Sequence, residues 1–479
     1  MDNIELKNVR EAIINAIPQE LFTEGYDVKP GQIYFPPAHE KSLKLYTNLI
    51  VGGRGVGKSM WTSALADEQK RTIIRVNVPE LENTKVQIGF SAVDRPEDYP
   101  SLETIAMLLD SGIKPYEMWQ TVILRWLVKE TKDTIPVNEW KESIIWVRNN
   151  PEKWVKIITN ANDILKNKNI NGLILFDALD RSSNDWASMD NIVRDLLRIA
   201  IRLKSFSNIH LKIFLRKDQY DRDTTDFPDS SKLKSTMAEL TWSLEDLHGL
   251  LWQYFLNADN GHRDTFHSIY KKVTGHEPVS ENNYCSLNDD IKRDNFYLKK
   301  LFEELAGPWM GKDIRRGVPY LWSVGHLADG RKQASPRSFL SAIRNAAEDS
   351  LSKDNPYPLF YGSIKLGVQN ASQIRINELA EDYKWVKHIC DPLQRMNVPV
   401  EFSEISQRWD EKYPNGPTDI PFAGLPPQFI EKGWEGIKDE LIRLGIFEEN
   451  QDKRINMPDL YRIGFGLGRK GGVPPLTKQ

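Results

Sequence analysis

Leu45-Tyr-Thr-Asn-Leu-Ile-Val-Gly52-Gly-Arg-Gly-Val-Gly-Lys58-Ser59 is the stretch on which the reading of this chain turns. Its apolar start, Leu45 to Val51, predicts a short buried strand. The glycines that follow give way to SMWTSALADEQK, which has the composition of a helix. Between strand and helix the sequence fits G-x-x-x-x-G-K-[ST]. Glycines at that spacing let the backbone curl so that successive N–H groups face one polyphosphate, and the helix start adds the positive end of its dipole. Lys58 is expected to reach the β- and γ-phosphates, and the Ser59 hydroxyl to ligate Mg²⁺. The expected nucleotide contacts are Gly52, Gly53, Arg54, Gly55, Val56, Gly57, Lys58, Ser59 and Met60. A glycine-rich turn with a chance lysine is the alternative, and the flanking strand and helix speak against it.

Working outward, Thr72-Ile-Ile-Arg-Val-Asn-Val78 predicts a second strand, and residues 115 to 169 predict helix, with Trp119, Val122, Ile123, Trp126 and Leu127 on one stripe. Ile170 to Leu179 is strand-like, Met189 to Leu203 has helical periodicity, and Ile209 to Leu215 is another strand candidate. Strands alternating with helices imply an α/β fold: a parallel sheet with helices on both faces. Gly172-Leu-Ile-Leu-Phe-Asp177-Ala-Leu-Asp180-Arg181 is an apolar strand ending in two carboxylates. Asp177 is placed to hold Mg²⁺ through water. Asp180 is either a group that orients or deprotonates the attacking water or a helix N-cap or salt-bridge partner of Arg181. Ile209 to Arg216 ends in an arginine that either senses the γ-phosphate or forms an ion pair with Asp177 or Asp218. Arg337, in Ala334-Ser-Pro-Arg337-Ser-Phe-Leu, is either a lid arginine reaching back to the phosphates or a surface residue near a helix start.

The remaining chain predicts an N-terminal helical and extended segment over 1–44, the nucleotide-binding core over 45–245, a helical lid over 246–385 and a last domain over 386–479. In that last part a helix from Trp434 ends at Gly445, and IFEEN, a polar QDK and RINMPDLYRIGF follow. Helix, strand, turn and strand is the pattern of a winged helix. Strands are expected to disappear after about residue 246, up to the start of that last domain.

The bulk numbers fit a chain of several domains: 479 residues, 40% hydrophobic, 27% charged, net charge -3. No apolar run approaches the roughly 18–20 residues a bilayer span needs, and MDNIELKNVREAIINAIPQE lacks the apolar region of a secretory signal. Two cysteines far apart, Cys285 and Cys390, exclude a disulfide framework and a cysteine-based zinc site, and suit a reducing cytoplasm. The charge excludes a generally basic nucleic-acid coat but not a local basic patch.

GGRGVGKS, the D-A-L-D of Asp177 to Asp180, strand-end Arg216 and a helical lid followed by a winged helix together resemble STAND-type ATPases and their origin-recognition relatives in the AAA+ group. FLRKD is similar to the strand-end arginine segment of that class, and Thr241-Trp-Ser-Leu-Glu-Asp-Leu-His-Gly-Leu-Leu to the passage from core to lid. GPWMGKDIRRGVPYLW, HLADGRKQASPRSFL and INMPDLYRIGFGLGRKGG resemble poorly characterised prokaryotic ATPases, several of them in antiphage defence loci. The resemblance implies ATP rather than GTP, a homo-oligomer, and a slowly hydrolysing switch acting through an effector protein. The long repeat sensor typical of STAND proteins does not follow the winged helix, which favours a partner protein or nucleic acid as the trigger.

Two rival functions stay open: an origin-recognition-like clamp that closes on duplex DNA with ATP, and a non-hydrolysing scaffold that keeps nucleotide as structural glue. Lys312, Arg315, Arg316, Arg331 and Lys332 make a basic lid cluster that fits nucleic acid, an arginine finger or a solvated face. Arg454, Arg462, Arg469 and Lys470 surround the expected wing, while Glu435, Asp439 and Glu440 on its helix would repel phosphates. His326 and Asp329 lack a third ligand for a metal. No nuclease or protease signature is present.

Overall fold

The five strands of the main sheet are short, and those inside it are largely apolar, as strands covered on both faces must be. The computed structural model describes residues 3–22, 27–259, 261–281, 284–422 and 424–475. In chain order the strands are β1 (Leu49–Gly52), β2 (Thr84–Phe90), β3 (Asn171–Phe176), β4 (Ile209–Arg216) and β5 (Met237–Leu240). They pair in parallel in the order β2-β3-β4-β1-β5. The decisive feature is β4 lying between β1 and β3, with Gly52 level with Arg216 and Phe176 level with Ile213. The tips of these three strands therefore open on the same end of the sheet.

The chain divides into two compact units, Phe35–Thr241 and a second made of 1–34 with 242–479. Within the first, β1 runs into the helix Lys58–Ala66, and β3 and β4 are joined through the helix Trp186–Leu203. Asp185 starts the latter by accepting the Ser188 N–H at 2.8 Å. Helices Pro115–Leu127, Trp140–Asn149 and Pro151–Asn167 fill the long connection from β2 to β3. Trp119 anchors them, packed edge-on against Phe90 and Phe176 with ring centroids 5.8 and 5.5 Å apart, its indole N–H donating to the Ile192 carbonyl.

One expected strand is a helix. Residues 72–78 belong to the helix Glu68–Ile74 and the turn after it. Asp67 caps that helix by accepting the Lys70 N–H at 2.9 Å, and the Arg71 guanidinium ties back to the Leu65 carbonyl at 2.6 Å. The cap outweighs the β-branched run behind it. The sheet position goes instead to β2, an edge strand whose Lys85 and Gln87 hide it from an apolar reading. Likewise β1 begins at Leu49, because Lys44 to Thr47 form a turn closed by Thr47 N–H on the Lys44 carbonyl at 3.0 Å.

A buried cation secures this turn. Lys212, in the middle of β4 and fully buried, donates from Nζ to the carbonyls of Ser42, Lys44 and Thr47 at 2.7, 2.9 and 3.0 Å. Burial pushes its ammonium down toward about 7. Three acceptors demand three donors, which the ammonium alone supplies, so this geometry belongs to the charged form.

In the second unit the helix Pro336–Ser350 packs on the long helix Tyr361–Asp382. Their backbones approach so closely at Gly367 that a Cβ there would lie 2.1 Å from the Ala342 carbonyl oxygen. The stretch expected to lack strands holds a pair, Val279–Glu281 antiparallel to Tyr284–Ser286. In the last part Glu448–Glu449 pairs with Ile455–Asn456, where two short strands around a polar turn are expected. The latter pair follows the helix Gly433–Arg443, and Ile455 also bridges to Val400. Among the described residues no helix is long and apolar enough to cross a membrane.

Two buried histidines make stability pH-dependent. His39 Nδ1 accepts the Trp61 indole N–H at 3.1 Å, so its Nε2 carries the proton donated to the Thr241 carbonyl at 3.0 Å. This neutral tautomer is the only one that satisfies both partners. Burial lowers His39 to about 4 and His248, in the other unit, to about 3. Both pKa values fall on folding, so the unfolded chain binds the extra proton. Stability is expected to be full above about pH 6.5 and to fall by roughly 1.4 kcal/mol per histidine for each unit below it, down to about pH 4. Urea midpoints measured from pH 7 to 5 check this, and His39→Gln should flatten the slope.

Candidate nucleotide-binding site

The loop between β1 and the helix Lys58–Ala66 turns through two left-handed glycines, Gly55 at φ 77° and Gly57 at φ 102°. Other residues adopt that backbone only with strain. Val56 is buried beneath the loop, where a Cβ on Gly52 would approach its side chain to 2.7 Å. Arg54 and Met60 are half-buried at the loop's edges, and Ser59 is exposed. Lys58 Nζ donates to the carbonyls of Gly52 and Gly53 at 3.0 and 2.7 Å. Although the residue as a whole is half-buried, its amine is enclosed, and burial lowers it to about 8. Arg216 pushes in the same direction, and Asp177, Asp180 and Asp218 oppose.

Asp177 extends β3 by one residue, its N–H on the Phe90 carbonyl at 3.0 Å. Its carboxyl is buried, which raises its pKa, while a hydrogen bond from the Ser59 hydroxyl and the charge of Lys58 draw it down. The two expected metal ligands, Ser59 and Asp177, thus already touch. Hard oxygen donors of this kind suit Mg²⁺, and an ammonium beside them suits a polyphosphate. After Asp177 the chain turns sharply, with Ala178 at φ 56° and a single 3-10 turn at Leu179–Arg181.

Asp180 pairs with Arg216, Nη1 to Oδ2 at 3.1 Å, and Arg216 Nε reaches Asp218 Oδ1 at 3.2 Å. Of the expected ion-pair partners Asp218 is present, and Asp180 stands where Asp177 was the other possibility. Gln219 fixes this arginine's backbone by accepting its N–H at 3.1 Å. Lys58, Ser59, Asp177, Asp180 and Arg216 therefore converge at the tips of β1, β3 and β4.

Residues 48–209 match the AAA family, described as ATPase family associated with various cellular activities. This stretch is an AAA ATPase domain. The AAA domain contains the glycine loop, Asp177 and Asp180, and its match stops at the start of β4, the strand that ends in Arg216. No curated protein matches the chain. Among solved structures, the ORC2 protein of Aeropyrum pernix in its ADPNP–ADP complexes is 13% identical, covering 92% of this chain and 94% of its own, with a TM-score of 0.43. The ORC1 protein of the same organism in complex with DNA is 13% identical over 95% and 88%, with a TM-score of 0.35. Scores of this size say nothing of what this chain binds.

Outside the AAA domain, Arg337 opens the helix Pro336–Ser350 and pairs with Glu378 at 3.0 Å. The basic residues of the second unit divide. Lys332 pairs with Glu448 at 2.6 Å and Arg331 donates to the Arg443 carbonyl, whereas Lys312, Arg315 and Arg316 are exposed on one loop. Arg462 is no surface residue: it is fully buried, with Nε on Asp459 and Nη1 and Nη2 on the carbonyls of Leu467 and Val473. Glu440, expected to repel phosphates, is buried too, accepting from Gln428 N–H at 2.7 Å and from Arg443. His326 turns to Asp459 rather than to Asp329.

Sequence reading missed Lys212, His39, Gln219 and the left-handed Ala178. Lys212 had a signal, a lone cation inside an otherwise apolar strand. The others depend on tertiary partners that no local pattern announces.

Proposed function

We propose that the chain is an ATP-driven switch. Lys58, Ser59 and the glycine loop would hold Mg²⁺-bound ATP with Asp177, and the metal would supply charge neutralisation at the phosphates. Asp180 would orient or deprotonate the attacking water, a role that competes with its ion pair to Arg216. Arg216 would answer to the γ-phosphate, and Arg337 of a helical lid over 246–385 would couple nucleotide state to a winged-helix-like domain over 386–479. Oligomerisation would complete the site, a separate effector would act, and the setting would be prokaryotic antiphage defence in the cytoplasm; these last points rest on resemblance alone. The observation that carries the switch is the convergence of Lys58, Ser59, Asp177 and Arg216 at adjacent strand tips.

A DNA clamp is the second reading. It is favoured by the loop 311–317, where Lys312, Arg315 and Arg316 flank Ile314, 62% exposed. Steady-state ATP turnover with and without duplex DNA, beside Asp177→Asn, separates the two. Asp177→Asn is expected to lower turnover by about 100-fold, because the replacement keeps the shape and removes the charge. Weak turnover indifferent to DNA supports the switch; turnover raised by DNA and lost on neutralising Lys312, Arg315 and Arg316 supports the clamp. Unaltered turnover in Asp177→Asn would sink the site itself, and tight ATP retention without turnover would leave the scaffold.

A further inference from the structure

A second cleft opens in the first unit, among the helices joining β2 to β3 and the helix Trp186–Leu203. Its volume is about 330 Å³, near the lower end for small-ligand sites. None of its lining residues belongs to the glycine loop or to the acids and arginine at the strand tips. Four cations line it, Lys114, Arg148, Arg198 and Arg202, against two carboxylates, Glu117 and Asp195.

Both carboxylates are fully engaged. Arg148 holds the two oxygens of Glu117 at 2.9 and 2.6 Å, and Asp195 accepts the Tyr116 N–H at 3.0 Å and Arg198 at 2.9 Å. Arg202 forms no ion pair among the described residues. It lies over the Trp154 ring, 4.2 Å from the centroid, and one N–H donates to the Tyr116 hydroxyl at 3.2 Å. Arg198 is supported in the same way over the Tyr116 ring at 5.2 Å. An aromatic backing fixes a guanidinium plane, so less freedom is lost when its edge meets an oxyanion. The outer face of such a plane is also a platform for a planar base.

We propose that this cleft binds a small nucleotide, its phosphate at the edges of Arg198 and Arg202 and its base on an outer guanidinium face. The excess of two positive charges matches a phosphate dianion, and the volume matches one nucleotide rather than a polymer. This site is independent of the ATP site at the strand tips.

Calorimetric titration of the full chain carrying Lys58→Ala, with AMP and with inorganic phosphate as probes, tests the idea. One equivalent of AMP should bind, about tenfold more tightly than phosphate, and Arg202→Gln and Arg198→Gln should each weaken it about tenfold or more. Both side chains are exposed, so the two variants should fold, and unchanged thermal melting would verify that. Absence of AMP binding, AMP affinity indifferent to both arginines, or equal affinity for phosphate and AMP would each overturn the proposal. So would capture of a single-stranded oligonucleotide through the same arginines when AMP does not bind.

Discussion

Lys58→Ala should weaken ATP binding by about 100-fold or more, an effect worth roughly 3 kcal/mol. The ammonium is the cation whose amine lies enclosed against the loop carbonyls, and Arg216 cannot take its place because it is already shared between Asp180 and Asp218. The fold should survive, because the Gly52 and Gly53 carbonyls that lose this donor lie beside a half-open loop. Binding by the unaltered protein should also depend on pH with a definite sign. The Lys58 amine sits at about 8 in the free protein, and a bound polyphosphate would raise it. Affinity should thus be level below about pH 8 and fall by up to tenfold per unit above it. Fluorescent-nucleotide titrations at pH 7, 8 and 9 with both proteins check the two expectations together. Equal affinities for Lys58→Ala and the parent would mean that nucleotide binds elsewhere.

Lys212→Met should destabilise the sheet by about 3 kcal/mol. Methionine matches the length of the stem and fills its apolar path, but it strips a donor from three carbonyls at once. Removing the cost of burying a charge offsets part of that loss, which keeps the estimate below three full orphaned acceptors. For a unit of this size the melting temperature should drop by about 6–12 °C. A melting temperature within a degree of the parent would mean that water satisfies these carbonyls as well as the lysine does.

How far the fold was readable depended on whether each signal was local. The glycine spacing around Lys58 and the apolar tracts of β3 and β4 are local, and they place the loop, Asp177 and Arg216 where the structure has them. The β2 position was lost because an edge strand with one solvated face carries Lys85 and Gln87, while the β-branched run at 72–78 imitates a strand until the cap at Asp67 is weighed. Four-residue β5 is too short to have any period. Two charged residues of the last part taught the opposite lesson. Arg462 and Glu440 look like surface charges in the sequence, yet burial and full hydrogen bonding remove both from any encounter with a partner.

The turn after Asp177 has a consequence for the D-A-L-D motif. Ala178 adopts φ 56°, a conformation that alanine tolerates at a cost of about 1–2 kcal/mol, that glycine and asparagine adopt more easily, and that β-branched residues resist strongly. A valine or isoleucine there would strain the end of β3 and displace Asp177 from Ser59. Two letters of the motif are therefore chemical and one is geometric. A search pattern that scores only the acids would accept D-V-L-D, a chain whose backbone resists making this corner.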